Sequence, residues 1–97
     1  MGSVAQHVGR LATRLELHDE AAAHFEAALE MNTRMGARPW LAHTQTDYGE
    51  MLLRRAARGD RRRAQTLLDE AGRTYEELGM PRGAARAHAL VAGSEGL

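Results

Sequence analysis

Apolar residues recur every three or four positions along most of this chain, and strand-type alternation never lasts beyond a few residues. The pattern predicts helices throughout. From Asp19 to about Met35 one stripe gathers Ala21, Ala22, Phe25, Ala28, Leu29, Asn32 and Met35, opposite a face carrying Glu20, Glu26, Glu30 and Arg34. A similar stripe from about Asp60 to Leu78 runs through Ala64, Leu67, Leu68, Ala71, Tyr75 and Leu78. Between them, Pro39 at a first helical position opens a helix carrying Trp40, Leu41, Thr44, Tyr48, Met51, Leu52 and Arg55. Five helices are expected, at about 3–16, 19–35, 39–57, 60–78 and 82–92.

The breaks fall at residues suited to them. His18-Asp19 precedes an acidic first turn, so Asp19 or a neighbour can cap the exposed amides there. Gly36 and Gly79 each follow an apolar residue at the end of a helical run, where a left-handed residue closes a helix most easily. Gly59-Asp60 supplies a stop and then the next cap. Connections this short force neighbouring helices to run antiparallel.

The chain also repeats itself. Phe25 returns as Leu68, Ala28 as Ala71, and Met35-Gly36 as Leu78-Gly79, each 43 residues later. Val8-Gly9, Ala12, Ala21-x-x-x-Phe25 and Ala28-Leu29-Glu30-Met31 follow one order. Tyr48-Gly49, Leu52, Ala64-x-x-x-Leu68 and Ala71 follow it again, with three extra residues before Ala64. This order and spacing resemble the tetratricopeptide repeat, in which small residues let paired helices approach and bulky ones interlock. Ala5 and Gln45 stand where that family often has Trp, Ala12 where it has an aromatic, Glu16 where it has Gly, and Thr33 where it ends on Pro. The stretch from Met35 to Ala42, followed by Thr44-Gln45, is similar to degenerate repeats towards the C-terminus of bacterial ATPase-coupled regulators of the LuxR type and of cyclase-linked signalling ATPases.

The resemblance implies an all-α, tetratricopeptide-like solenoid of antiparallel helix pairs in a single domain over residues 1–97. Repeat one would cover about 3–36, repeat two about 39–79, and an extra C-terminal helix about 82–92. It further implies a peptide-binding groove along one face of each first helix. In this chain that face is Ser3, Gln6, Arg10, Thr13 and Arg14, then His43, Thr46, Glu50, Leu53 and Arg54. Three arginines among neutral donors suit a peptide carrying carboxylates, which guanidinium forks bind at two points. The same polar face is also what a merely wetted groove would carry.

Composition narrows the function without naming it. Basic and acidic residues number 13 each, so no global field draws the chain to nucleic acid or an anionic membrane. Weak mutual repulsion favours self-association. Every basic residue is Arg, and with abundant Ala and Gly this is the composition of GC-rich coding DNA, which points to a bacterium. Cysteine is absent, which excludes disulfides, thiolate catalysis and Cys-based zinc sites. No apolar run approaches the roughly 20 residues needed to cross a bilayer, and no secretion signal opens the chain, so a cytoplasmic location is expected.

Candidate chemistry yields to geometry. His7, His18, His24, His43 and His88 lack the three- or four-residue spacing of helical metal ligands, and Glu20 with His24 reads as a solvated pair. Asp19/Glu20, Asp69/Glu70 and Glu76/Glu77 are adjacent, so their carboxylates diverge by roughly a hundred degrees and do not converge on a substrate. Phosphate-cradling and nucleophile-elbow motifs are missing. Arg54, Arg55, Arg58, Arg61, Arg62 and Arg63 form a basic cluster without interleaved aromatics, flanked by Asp47, Glu50, Asp60 and Asp69; nucleic-acid binding is not expected of it. The expectation is a non-enzymatic protein-interaction module needing no cofactor, part of a signalling or transcription-regulatory protein. The alternative is a ligand-sensing segment of such a protein. Val4, Val8, Leu11 and Leu15 at one end, and Leu90 and Val91 at the other, leave both ends apolar, so a homodimer formed through a terminal helix is expected.

Overall fold

A computed structural model of the chain describes residues 17–95, which form four helices and no strand. They are α1 (His18–Met35), α2 (Arg38–Arg55), α3 (Asp60–Glu77) and α4 (Pro81–Glu95). The helix expected at about 3–16 lies outside the described residues. None of the described helices is long and apolar enough to cross a membrane.

Two helix ends match their glycines. Gly36 and Gly79 take left-handed φ values of 65° and 68°. Behind them the Ala37 amide donates to Asn32 O at 3.0 Å and the Met80 amide to Tyr75 O at 2.8 Å, so the last carbonyls of α1 and α3 are satisfied alike. The third end differs from expectation. α2 stops at Arg55 rather than near 57, because Ala56 itself turns left-handed at φ 53° and donates to Leu52 O. Asp19 does not cap α1; Leu17 holds the N-cap position without a side-chain bond, and Asp19 instead faces Arg55 of α2 at 3.2 Å. Pro39 falls one residue inside α2, where its missing amide is still harmless.

Cross-helix partners show the direction of packing. Early α1 meets late α2 through Asp19 and Arg55, while late α1 meets early α2 through Asn32 and Thr44. Arg38 and Glu77, Gln45 and Glu70, and Arg55 and Asp60 run the same way between α2 and α3. His88 with Glu76 and Ser94 with Gln65 do so between α3 and α4. Consecutive helices are therefore antiparallel, and α4 also reaches back to touch α2.

Their shared core has two parts. Ala21, Phe25, Tyr48, Met51, Leu52, Ala64, Leu67 and Leu68 form the larger, with Phe25 stacked on Tyr48 at 5.5 Å between centroids. Ala42, Ala71, Tyr75 and Ala84 form the smaller. Close approach depends on glycine at two points. A Cβ on Gly49 would lie 2.8 Å from Leu68 Cγ, and one on Gly83 would lie 2.5 Å from the Tyr75 ring. Met35 and Leu78, placed on the buried stripes by periodicity, lie at the surface at the ends of their stripes, 54% and 36% exposed.

Candidate functional site

The polar groups converge on α2, where Thr44, Gln45, Thr46 and Asp47 are buried in succession. A lone amphipathic helix buries one stripe; four consecutive buried residues require neighbours on several sides. α1, α3 and α4 supply them. Asn32 Nδ2 donates to Thr44 Oγ1 at 3.0 Å, and Gln45 Nε2 donates to Glu70 Oε2 at 3.0 Å. Asn32 Oδ1 and Gln45 Oε1 are buried without a protein partner among the described residues.

Towards α3 and α4 the surface becomes aromatic and charged. Trp40 packs edge-on against His43 at 5.7 Å, and His43 lies 5.3 Å from Tyr75, whose hydroxyl is 2.6 Å from His43 Nδ1. Burial pushes the Tyr75 phenol above its ordinary value. Tyr48 is pushed up to about 12, first by burial and then by its hydrogen bond with Glu26. Beside this strip, Arg86 of α4 donates to Asp47 Oδ1 at 3.0 Å and approaches Glu50 Oε1 at 3.4 Å.

Five of the expected groove residues, Ser3, Gln6, Arg10, Thr13 and Arg14, lie outside the described residues. The other five are divided. His43 and Glu50 are half-buried on the α2 face towards α3 and α4, and Arg54 is exposed. Thr46 cannot line a groove. It is fully buried, donating to Ala42 O at 2.8 Å and lying 3.4 Å from Tyr75 Oη, because α3 covers that side of α2. Leu53 packs half-buried against the larger core cluster.

Arg86 was not anticipated, yet a signal for it existed. It stands 43 residues after His43, the spacing at which Phe25 returns as Leu68. The basic cluster is also partly neutralised: Arg55 binds Asp60 and Asp19, and Arg63 approaches Glu26 at 3.4 Å. Arg54, Arg58, Arg61 and Arg62 remain exposed. Among the described residues no three His, Asp or Glu side chains gather closely enough to hold a metal ion.

Along this strip an aromatic edge, an imidazole, a guanidinium and two carboxylates lie side by side, the guanidinium within reach of both carboxylates. Comparison with known protein families, with curated proteins and with solved structures finds no match to this chain.

Proposed function

We propose that the chain is a tetratricopeptide-like helical-repeat module that binds a protein or peptide partner, without catalytic activity, within a cytoplasmic bacterial signalling or transcription-regulatory protein. The observation that carries this reading is a buried pattern that recurs at 43 residues. Ala21 and Ala64, Phe25 and Leu68, Ala28 and Ala71, and Asn32 and Tyr75 are each at most 1% exposed. Gly36 and Gly79 close their helices with the same backbone bonds. On this reading α1 and α3 are the second helices of successive pairs, α2 is a first helix, and α4 begins a further pair.

Among the described residues the groove face then comprises His43, Glu50 and Arg54 of α2, joined by Arg86 of α4; Arg10 and Arg14, expected on it from the resemblance, precede the described residues. An immobilised library of extended acidic peptides provides the test. Replacing Arg10, Arg14 and Arg54 together by Ala should abolish peptide capture and leave the helical circular dichroism unchanged, since a charge at the surface, as Arg54 is, contributes only about 0–1 kcal/mol to stability. Undiminished capture by the triple variant moves the site off this face.

One hollow favours a second reading, a small-molecule sensor. It measures about 490 Å³ and is lined by Glu76, Gly79, Met80, Pro81, Ala84, Ala85 and His88, mostly apolar, where α3 turns into α4. Tyr75 links this corner to Trp40 through His43, so ligand entry should alter Trp40 fluorescence. An unchanged spectrum across a metabolite panel removes this reading.

A further inference from the structure

The corner between α2 and α3 gathers positive charge that the fold does not use. Arg54 lies in the last turn of α2, Arg58 in the connection, and Arg61 and Arg62 in the first turn of α3; all four are exposed and none has an ion pair with a described residue. Their neighbours do: Arg55 is taken by Asp60 and Asp19, and Arg63 approaches Glu26 at 3.4 Å. Arg54 complements the carbonyl end of its helix, but Arg61 and Arg62 stand at the positive end of theirs, where cations are unfavourable. Asp60, the acid in that turn, is turned to Arg55 and the Ala57 amide. Nor does the repeat ask for arginine here. At the same register 43 residues earlier α1 opens with His18, Asp19 and Glu20 where α3 has Arg61, Arg62 and Arg63. Described helices flank the corner on both sides, since Asp19 at the start of α1 faces Arg55 and Ser94 near the end of α4 accepts from Gln65 of α3.

We propose that Arg54, Arg58, Arg61 and Arg62 form a docking surface for a short acidic segment of a protein partner, whose carboxylates the guanidinium forks take at two points. Neighbouring helix axes lie about 8–10 Å apart and the arginine side chains widen that span to roughly 15 Å, which about five extended residues cover. The chemistry of the corner selects this partner over other polyanions. Apart from the Arg55–Asp60 pair, only Ala56, Ala57 and Gly59 lie between the arginines, so no aromatic ring stands there to stack on a base and no large apolar side chain to enter a bilayer. Acids also bound it. Asp19, 96% exposed at its side chain, stands beside Arg55, and Asp69 is exposed two turns beyond Arg62 on the same face of α3. A duplex or a membrane spreads negative charge past the arginines and meets these carboxylates, whereas a short acidic segment ends before them. With the groove face assigned above the corner shares only Arg54, and it stands whether or not that assignment does.

A fluorescent hexaglutamate peptide titrated with the full chain should bind with a dissociation constant on the order of 100 µM at about 50 mM salt, and at least about threefold more weakly at about 300 mM. Arg61→Ala combined with Arg62→Ala should raise the constant at least about tenfold. Arg73→Ala combined with Arg82→Ala, an equal loss of charge at exposed positions away from the corner, should change it by less than about twofold. Circular dichroism melts separate recognition from a role in the fold: removing cations from the positive end of α3 should leave the melting temperature unchanged or raise it. A falling melting temperature overturns the proposal, as does equal weakening by the two double variants or a peptide that does not bind at millimolar protein. Binding that survives the Arg61 and Arg62 changes and is lost on replacing Arg10 and Arg14 belongs to the groove and overturns the corner. Tighter binding to a DNA duplex of about 20 base pairs, or to phosphatidylserine vesicles, than to the peptide overturns the choice of an acidic segment.

Discussion

Asp60 shows what a single carboxylate contributes here. It opens α3 at 5% exposure, takes two bonds from the Arg55 fork at 2.7 and 2.8 Å, and accepts the Ala57 amide at 3.0 Å. The loop between α2 and α3 is thereby tied at both ends. The Arg55 guanidinium holds the Asp60 carboxyl below the usual carboxylate range, outweighing the burial that would raise it. Because the folded value is depressed, this stabilisation is complete at neutral pH. It begins to be lost as pH falls below about 3.9, the ordinary carboxylate value, and is gone once pH passes the lowered folded value. Asp60→Asn should cost about 1–3 kcal/mol at pH 7, partly by leaving Arg55 unpaired, and the difference from wild type should shrink towards pH 3. Thermal melts at the two pH values measure this; a gap that stays constant would assign the cost to something other than ionisation. Asp19, 96% exposed at its side chain, adds little to the pair despite its contact with Arg55.

α4 makes the same point for a helix, because two of its glycines predict opposite outcomes. Alanine normally gains about 1 kcal/mol over glycine inside a helix. At Gly93 a Cβ meets nothing within 4 Å, so Gly93→Ala should stabilise, by less than this full amount so near the helix end. At Gly83 the Cβ would enter the Tyr75 ring at 2.5 Å, and that ring is 1% exposed and held at its hydroxyl beside His43, so it has nowhere to go. Overpacking of this kind costs about 1–3 kcal/mol, which exceeds the propensity gain. Gly83→Ala should therefore lower the melting temperature while Gly93→Ala raises it. Equal shifts in the same direction would show that Gly83 does not set the α3–α4 approach. Helicity of the element was plain from its alanines; the need for a bare backbone at one position was not, because it depends on a tyrosine eight residues earlier across a turn.

For the whole molecule the core is small enough for one side chain to decide folding. Phe25 and Leu68 are fully buried in the same cluster, contributed by helices that do not follow one another in sequence. Truncating either to Ala should cost roughly 2–5 kcal/mol against a total of about 5 kcal/mol for a domain of this size, leaving the chain unfolded or nearly so. Circular dichroism melts report it directly, and unchanged transitions in both variants would contradict the packing. The residues behind this prediction were legible in advance: the stripes of α1 and α3, the 43-residue recurrence and the closing glycines are local properties, set by how apolar side chains line up along one helix and by which residue tolerates a positive φ. The candidate surface was legible only in part. Thr46 and Leu53 were placed on a groove face by the resemblance alone, and a resemblance cannot report that α3 covers the one and the larger core takes in the other. Arg86 joined the surface because α4 folds back against α2. The sequence alone determined that the chain is helical, where three of its described helices begin and end to within about two residues, and which large apolar side chains fill the centre, because each follows from short-range periodicity. Only the tertiary structure decided that Thr44, Gln45, Thr46 and Asp47 are all buried and that Met31 and Met35 are not, because burial on a helix packed from several sides depends on which neighbours arrive, and those neighbours come from distant parts of the chain.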